Sequence, residues 1–230
     1  MELKELDMVE DDSIKLALKA EFFQKVEDLG PQQALFPSQN EPIDQLVRQL
    51  EVINPISNPL QSQYLPSLLG KWQLIYASAG TFVTRSLASI PGWEDTIKIK
   101  QVWQTLTAGS SKIIAAENIA VLDLPLFGEW RLGAEGVWTW GVNEQVAKVT
   151  FSAFSVQATK PFGQSSWSLP ELKIPILEFL RNEAQWTTSY LEPELRVGRG
   201  ATGNVFVFCR AGAVWGDVFS QTLQDSLQGV

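Results

Sequence analysis

The first apolar stripe along the chain has helical spacing. Five apolar residues recur every three or four positions: Ile14, Leu18, Phe22, Val26 and Leu29. A cap at Asp12 or Ser13 precedes the stripe, and the pair Gly30-Pro31 follows it. Both are typical boundary signals, so the pattern predicts one amphipathic helix that ends at Gly30.

A second stripe of the same spacing follows Asn40, with Pro42 in its first turn. Its apolar members are Ile43, Leu46, Val47, Leu50 and Ile53. The pair Asn54-Pro55 closes this predicted helix, because the residue before a proline avoids the α region. The proline-rich piece that runs on to Pro66 is expected to be a connector.

From Gly70 to Arg210 the pattern changes to period two, with β-branched and aromatic enrichment, which is typical of antiparallel strands. A short helix is predicted over residues 82–89. Eight strands are predicted: Trp72–Ala77, Thr96–Leu106, Lys112–Leu122, Trp130–Trp140, Gln145–Thr159, Gln185–Leu191, Leu195–Val197 and Asn204–Arg210.

Strands this long, with no helices alternating between them, favour a mainly β fold in which an antiparallel sheet of about eight strands closes into a barrel. The interior of such a barrel is either filled by side chains or holds one small ligand. The pattern leaves both alternatives open.

Composition removes much catalytic chemistry from this picture. The 230 residues include 12 Phe, 9 Trp and 3 Tyr, but no His and a single cysteine, Cys209. This excludes Ser-His-Asp triads, Cys-His dyads, His-ligated metal sites and intrachain disulfides. We therefore expect a protein that is not an enzyme and that carries no cofactor and no metal.

Charge divides the chain. Residues 1–58 hold 12 acidic and 5 basic side chains, whereas the whole chain has a net charge of −8. This balance argues against a nucleic-acid partner. Three parts are predicted: an acidic helical extension (1–58), the barrel (59–210) and a C-terminal amphipathic tail (211–230) whose apolar residues Trp215, Phe219, Leu223 and Leu227 are four apart.

The chain has no apolar run of about 18 residues and no signal-peptide layout at its start, so we expect a cytoplasmic protein without a transmembrane helix.

Strand alternation identifies candidate interior residues. One predicted face carries Trp72, Leu74 and Tyr76, and Arg210, in phase with Phe206 and Phe208, is expected to lie over the Trp72 indole as a cation–π contact at the closed end. The alternative is that Trp72 is ordinary core and Arg210 a strand-end charge.

Two further strands complete the predicted interior, which is mostly apolar with an isolated polar group such as Gln101, as in a pocket for a hydrophobic small molecule. The alternative is that the rings fill the barrel. The interior residues on these strands are Ile97, Ile99, Trp103, Trp130, Leu132, Trp138 and Trp140.

The run from Gly198 to Gly203 matches the dinucleotide pattern G-x-G-x-x-G. A strand rather than a helix is predicted after it, so a glycine-rich hairpin is the better interpretation. The charged residues beside it are expected to form a hairpin ion-pair network rather than an acid–base pair: Glu192, Glu194, Arg196 and Arg199.

Five stretches together resemble the plastid lipid-associated protein (fibrillin) family over roughly residues 60–210. They are Leu69–Ser78, Ile99–Gln104, Leu172–Pro175, Thr187–Gly200 and Val205–Phe208. The most specific part is the stretch over residues 187–208. The residues that match the family motif are Gly70, Trp72, Tyr190, Leu191, Glu194, Leu195, Arg196, Arg199, Gly200 and Arg210. Ala201 and Thr202 depart from it, since relatives carry an acid after Arg-Gly.

This resemblance implies a lipocalin-like barrel that binds or organises carotenoids, prenylquinones or lipids at thylakoids or plastoglobules, with a role in photoprotection. The lack of a transit peptide favours a cyanobacterial member, peripheral to thylakoid membranes. One alternative is a scaffold for an enzyme of isoprenoid-quinone synthesis, docked through the N-terminal helices. Another is a bilin lyase-like chromophore carrier, for which Glu117, alternating with Ala115 and Ile119, is the candidate pocket acid.

Overall fold

A computed structural model describes residues 2–36, 40–81, 97–164, 168–176 and 183–212, with side chains from residue 12 onward. The helices are α1 (Glu2–Leu35), α2 (Glu41–Val52) and α3 (Leu65–Leu68). The strands are β1 (Gly70–Ala77), β2 (Lys98–Ala108), β3 (Ile113–Leu124), β4 (Gly128–Thr139), β5 (Val146–Pro161), β6 (Leu172–Pro175), β7 (Glu183–Leu191), β8 (Leu195–Gly200) and β9 (Val205–Arg210).

The strands form one antiparallel sheet that closes on itself. Neighbouring strands follow the order β4-β3-β2-β1-β9-β8-β7-β5, and a further pairing of β4 with β5 completes a ring of eight. Strand β5 is long enough to pair with β7 at residues 146–150 and with the short strand β6 at residues 153–156. The predicted mainly β fold with a closed antiparallel sheet is thereby confirmed.

All eight predicted strands are present, with boundaries shifted by a few residues. The ninth, β6, was not predicted as a strand because its four residues are all exposed and show no alternation. The predicted helix over 82–89 and the C-terminal tail residues Trp215, Phe219, Leu223 and Leu227 lie outside the described residues.

Helix α1 breaks where the sequence predicts its end, but the chain then resumes a helical course. Gly30 has φ 72° and ψ 162°, and helix continues through Pro31 to Leu35. Gln32, just after the break, donates from Nε2 to the Ile97 carbonyl (2.6 Å) and accepts at Oε1 from the Ile99 amide (3.0 Å). The resumed turn thus satisfies backbone groups at the start of β2.

Two apolar cores lie on opposite faces of the sheet. The inner core, inside the ring, includes Trp72, Leu106, Trp138 and Phe208. The outer core lies between the sheet and the two long helices. Phe22, Phe23 and Val26 of α1 and all of the predicted α2 stripe except Ile53 pack on strand residues such as Val197 and Val207. Helices α1 and α2 therefore cover the part of the outer face that β1, β7, β8 and β9 form.

Ion pairs tie these helices to the β7–β8 hairpin. Lys19 of α1 lies 3.0 Å from Glu192, and Arg199 contacts Glu51 of α2 at 2.6 Å. The prediction that the hairpin charges pair with one another is wrong, because their partners come from the helices, far away in sequence. Arg196, which was placed in the same network, lies inside the ring.

Candidate functional site

One end of the ring is closed by α3. A helix leaves its last carbonyls without partners inside the helix. Here Trp72 Nε1 donates to the Leu68 carbonyl (2.8 Å), while Arg210 donates to the carbonyls of Ser67 and Leu69 (2.5 Å each). Arg210 Cζ stands 3.8 Å from the centroid of the Trp72 ring, so the predicted cation–π contact is present.

Gly70 makes room for this arrangement. Its φ of +113° is a conformation that side chains rarely adopt, and a Cβ there would lie 2.9 Å from Arg210 Nη1. The Gly70-Lys71-Trp72 start of β1 is thus required by the contacts that close the ring.

Above the closed end, aromatic rings line the inner face. Trp186 lies 5.7 Å from Trp138, 5.4 Å from Phe206 and 6.2 Å from Phe208, measured between ring centroids. Trp186 was missed among the interior candidates, although its place on β7 next to the predicted strand start at Gln185 could have suggested it.

The ring of Trp186 lies directly against Gly198. A Cβ at position 198 would come 2.0 Å from Trp186 Cζ2, and Gly200 lies beside Phe206. Gly198 is therefore needed for ring packing, and Gly203, with φ +80°, suits the β8–β9 turn. This agrees with the interpretation of the run as a hairpin.

Most predicted interior residues do line the ring. Members of the inner core or residues packed against it are Trp72, Leu74, Ile97, Ile99, Leu132, Trp138, Trp140, Phe206 and Phe208. Trp130 faces Leu122 and Ala158 across its two neighbouring strands, with its ring partly exposed.

Two predicted interior residues lie on the other face because a β-bulge shifts the alternation. A bulge between Leu74 and Tyr76 turns Tyr76 toward the helices, where its ring meets Phe22 and its hydroxyl donates to Asp44 (2.7 Å). A bulge between Ile99 and Gln101 turns Trp103 outward, under Lys71. Both predictions are wrong for the same reason, since one extra residue inverts every later side chain.

The second bulge also changes which polar group enters the ring. Gln104, rather than Gln101, is buried inside, and its Nε2 donates to Asn118 Oδ1 (2.8 Å). The predicted interior group, Gln101, is exposed, and the buried Gln104 is not isolated because it is hydrogen-bonded to Asn118 and Arg196.

Arg196 is the charged group that sequence reasoning missed inside the ring. Its side chain is fully buried, and its Cζ lies 4.3 Å from the Phe208 ring centroid and 4.9 Å from that of Trp72. Nη2 donates to Gln104 Oε1 (2.7 Å). Burial, helped by the like charge of Arg210, lowers the pKa of Arg196 to about 9, so the guanidinium is still protonated at neutral pH.

The opposite end of the ring carries exposed apolar turns. Leu126, in the β3–β4 turn, is 88% exposed, and Phe162, after β5, is 70% exposed. Both have positive φ, 66° and 54°, which bulky residues seldom adopt. Phe162 donates its amide to the Phe127 carbonyl (3.1 Å), so the two turns form one apolar tip.

Glu117 does not face the interior. It lies on the outer face of β3, opposite Glu135, with its side chain 45% exposed and 3.4 Å from Arg131. The prediction of a pocket acid for bilin chemistry is therefore wrong. The inner positions of β3 on either side of Glu117 are Ala116 and Asn118.

A separate cavity of about 270 Å³ lies outside the closed end, between the connector and the β2–β3 and β4–β5 turns. Leu65, Lys112 and Trp140 are among the residues that line it. Its volume is below the roughly 300–1,000 Å³ of sites for drug-sized ligands. Within the described ranges, no three His, Cys, Asp or Glu side chains are grouped as metal ligands would be, and no helix is long and apolar enough to span a membrane.

The PAP_fibrillin family model matches residues 28–209, which include α2, α3 and nearly the whole ring. The chain belongs to the PAP_fibrillin family. The match begins within α1, so it reaches further toward the N-terminus than the resemblance from residue 60 onward.

Curated relatives of this PAP_fibrillin chain are chloroplastic. The light-induced protein of Solanum tuberosum is 28% identical over 203 residues, which cover 74% of this chain and 60% of that protein. The probable plastid-lipid-associated protein 5 of Arabidopsis thaliana is 31% identical over 93 residues, covering 37% of this chain and 38% of that protein. The chain thus spans about 60% of the length of the first of these relatives.

The family-motif stretch of this PAP_fibrillin chain is divided between both faces of the sheet. Tyr190 and Leu195 belong to the outer core, whereas Leu191 belongs to the inner core. The exposed Glu194 contributes its carbonyl, which accepts from the Arg210 amide (3.0 Å). The motif thus joins the helices, the closed end and the ring interior.

Proposed function

We propose that this protein binds or organises a hydrophobic small molecule, without catalysing a reaction, at a lipid surface. A carotenoid, a prenylquinone or a lipid is the proposed ligand class, and the proposed setting is the surface of a thylakoid membrane or lipid globule in a cyanobacterial cell. A photoprotective role follows if the ligand is a pigment or a quinone. The plastid lipid-associated protein among its relatives supports a lipid-related role.

The observation that carries this proposal is the aromatic inner wall. Trp138, Trp186, Phe206 and Phe208 present contiguous rings inside the ring of strands. Val102 and Leu132 extend the apolar inner surface beyond them. Apolar walls with few polar groups are typical of sites for hydrophobic ligands.

The apolar tip supports contact with a lipid surface. Leu126, Phe127 and Phe162 together expose apolar side chains at the end of the ring opposite α3. Exposed aromatic and aliphatic groups insert at the boundary between headgroups and acyl chains. In this arrangement the tip would bring the end of the ring opposite α3 to the lipid that supplies the ligand.

Two tryptophans on opposite faces provide a matched test. A carotenoid inside the ring should quench Trp186, which lies on the inner face, more strongly than Trp103, which lies on the outer face. On titration with a carotenoid, Trp186→Phe should lower the quenched fraction of tryptophan emission, whereas Trp103→Phe should raise it. Equal quenched fractions in both variants would contradict binding inside the ring.

Extraction identifies the natural ligand. Organic extracts of the protein purified from its native host should contain a pigment, quinone or lipid in a stoichiometric amount by mass spectrometry. If such extracts are empty and the titrations leave tryptophan emission unchanged, the carrier proposal is wrong.

A scaffold function is the second candidate. It is favoured by the close contacts among the interior aromatic side chains, which are those expected of a filled ring. In that case the acidic helices would be the surface that binds a partner. It predicts a stable complex with a purified prenyl diphosphate synthase on size-exclusion chromatography. Reversing the exposed acids Glu21 and Asp28 of α1 to lysine should abolish that complex without unfolding the ring.

A further inference from the structure

The guanidinium of Arg196 is buried inside the ring, and it forms no ion pair with any residue that the structure describes. Among the described residues, no acceptor lies within hydrogen-bond distance of its Nε or Nη1. The like charge of Arg210 adds to burial in lowering the pKa of Arg196. Its remaining contacts are Gln104 and three aromatic faces, those of Phe208, Trp72 and Trp138.

These contacts only partly offset the cost of burial. A buried charge is strongly unfavourable unless it is both paired and hydrogen-bonded. Cation–π contacts stabilise a guanidinium, but they leave its N–H groups without acceptors. What is missing at this position is therefore a negatively charged oxygen acceptor.

A second buried donor lies in the same part of the ring. Trp186 Nε1 also lacks an acceptor among the residues that the structure describes. The Trp186 and Arg196 side chains both contact the Phe208 and Trp138 rings. The polar atoms of Trp186 and Arg196 that lack hydrogen-bond partners are all donors. They are surrounded by apolar and aromatic side chains.

We propose that Arg196, with Gln104 beside it, binds the carboxylate of an amphiphilic ligand whose apolar tail runs along the aromatic inner wall toward the end of the ring opposite α3. The proposal rests on the proposed carrier function and narrows it to ligands with an anionic oxygen head group, such as fatty acids or acidic isoprenoid derivatives. A pure hydrocarbon would leave the donors of Arg196 unsatisfied.

A matched pair of fluorescent probes tests the head group alone. cis-Parinaric acid and its methyl ester have the same polyene tail and differ only in charge. At about pH 8 the free acid is ionised. We expect the unmodified protein to bind the acid about tenfold or more tightly than the ester, a difference of about 1.4 kcal/mol.

Arg196→Met and Arg48→Met are the matched variants, since Arg48 is an exposed arginine of α2. Arg196→Met should remove the preference for the acid, and Arg48→Met should keep it. Without ligand, Arg196→Met should melt at or above the temperature of the unmodified protein, because an uncompensated buried charge is lost. Only the unmodified protein and Arg48→Met should gain stability from the acid.

The outcomes separate the two proposals. If the unmodified protein binds acid and ester equally well, the carboxylate site is wrong and the carrier function stands. If it binds neither probe but a carotenoid still quenches tryptophan emission, the carboxylate site is wrong and the carrier function stands. If neither the probes nor a carotenoid binds, the carrier function itself is contradicted. An acid preference that persists in Arg196→Met, or ligand-free unfolding of that variant well below the unmodified protein, overturns the assignment of Arg196.

Discussion

Arg199 of β8 holds Glu51 of α2 through two parallel hydrogen bonds, Nε to Oε1 and Nη2 to Oε2, each 2.6 Å long. Both side chains are mostly buried, and the second terminal nitrogen of Arg199 also donates to the Gly203 carbonyl (3.1 Å). One guanidinium thus ties a helix, a strand and the turn after that strand.

Arg199→Lys should therefore weaken the attachment of α2 although the charge is retained. A lysine cannot reproduce the planar two-bond contact, so we expect a loss of about 1–2 kcal/mol in the free energy of unfolding. A double-mutant cycle with Glu51→Gln, measured by urea denaturation, should give a coupling of similar size. Strictly additive effects of the two substitutions would show that the pair contributes nothing.

Gly198→Ala should be among the most destabilising single-methyl substitutions in the chain. The new Cβ would lie 2.0 Å from Trp186 Cζ2, and the indole is held between Trp138 and Phe206, so it has little room to move. We expect a cost of about 3 kcal/mol or more in the free energy of unfolding. The matched control is Gly200→Ala on the same strand, whose Cβ would meet its nearest neighbour at 3.7 Å.

The steric origin of this cost has its own test. If the clash with the indole is the cause, Trp186→Leu should recover much of the stability of Gly198→Ala in the double variant. If Gly198→Ala and Gly200→Ala lower the free energy of unfolding equally, the loss comes from the restricted backbone conformation of alanine and not from a clash with the indole.

The two long helices and eight strands could be predicted because their signals are local, but the short α3 and β6 could not. The faces could not be predicted past a bulge. Leu74 and Ile99 were assigned correctly, but the next predicted aromatic on each strand, Tyr76 and Trp103, lies after an extra residue that leaves no mark in the apolar pattern. Arg196 was missed for a different reason: a charged residue between two apolar neighbours is normally exposed.

The ion pairs between the helices and the ring also could not be predicted from the sequence. Glu51 and Arg199 are 148 residues apart, and Lys19 and Glu192 are 173 apart. Only the closure of the ring brings the β7–β8 hairpin beneath the helices. The charge difference between residues 1–58 and the rest of the chain indicated two parts but not the contacts between them.

Glu129 should make stability depend on acid pH. Its carboxylate accepts from Lys100 Nζ (2.7 Å), Thr159 Oγ1 (3.0 Å) and Lys160 Nζ (3.2 Å), and the Lys100 contact contributes most to lowering its pKa from 4.5 to about 2. A carboxylate whose pKa is lower in the folded than in the unfolded protein stabilises the fold at pH values above its unfolded pKa. This contribution is lost as the pH falls from about 4.5 toward 2. Because both lysines are partly exposed, we expect about 1–2 kcal/mol.

Urea denaturation between pH 7 and pH 2 measures this effect. Glu129→Gln should flatten the fall in stability in that acidic window and lower stability at pH 7. The control is Glu117→Gln, which also removes one carboxylate from the outer face. If Glu117→Gln flattens the curve as much as Glu129→Gln does, the effect belongs to net charge rather than to the Lys100 contact.

The apolar tip should show a conflict between stability and function. Leu126 and Phe162 occupy left-handed backbone conformations that asparagine adopts more readily, so Leu126→Asn and Phe162→Asn should each stabilise the fold by up to about 1 kcal/mol. If the tip contacts lipid, the same substitutions should weaken sedimentation with vesicles of galactolipid and anionic lipid by severalfold.

Val142→Asn is the matched control, because Val142 is 98% exposed in the β4–β5 turn at the opposite end of the ring. Loss of vesicle binding in Val142→Asn, or unchanged binding in both tip variants, would place the lipid contact elsewhere. A gain in stability together with a loss of binding would instead indicate that the strained turns are retained for lipid contact.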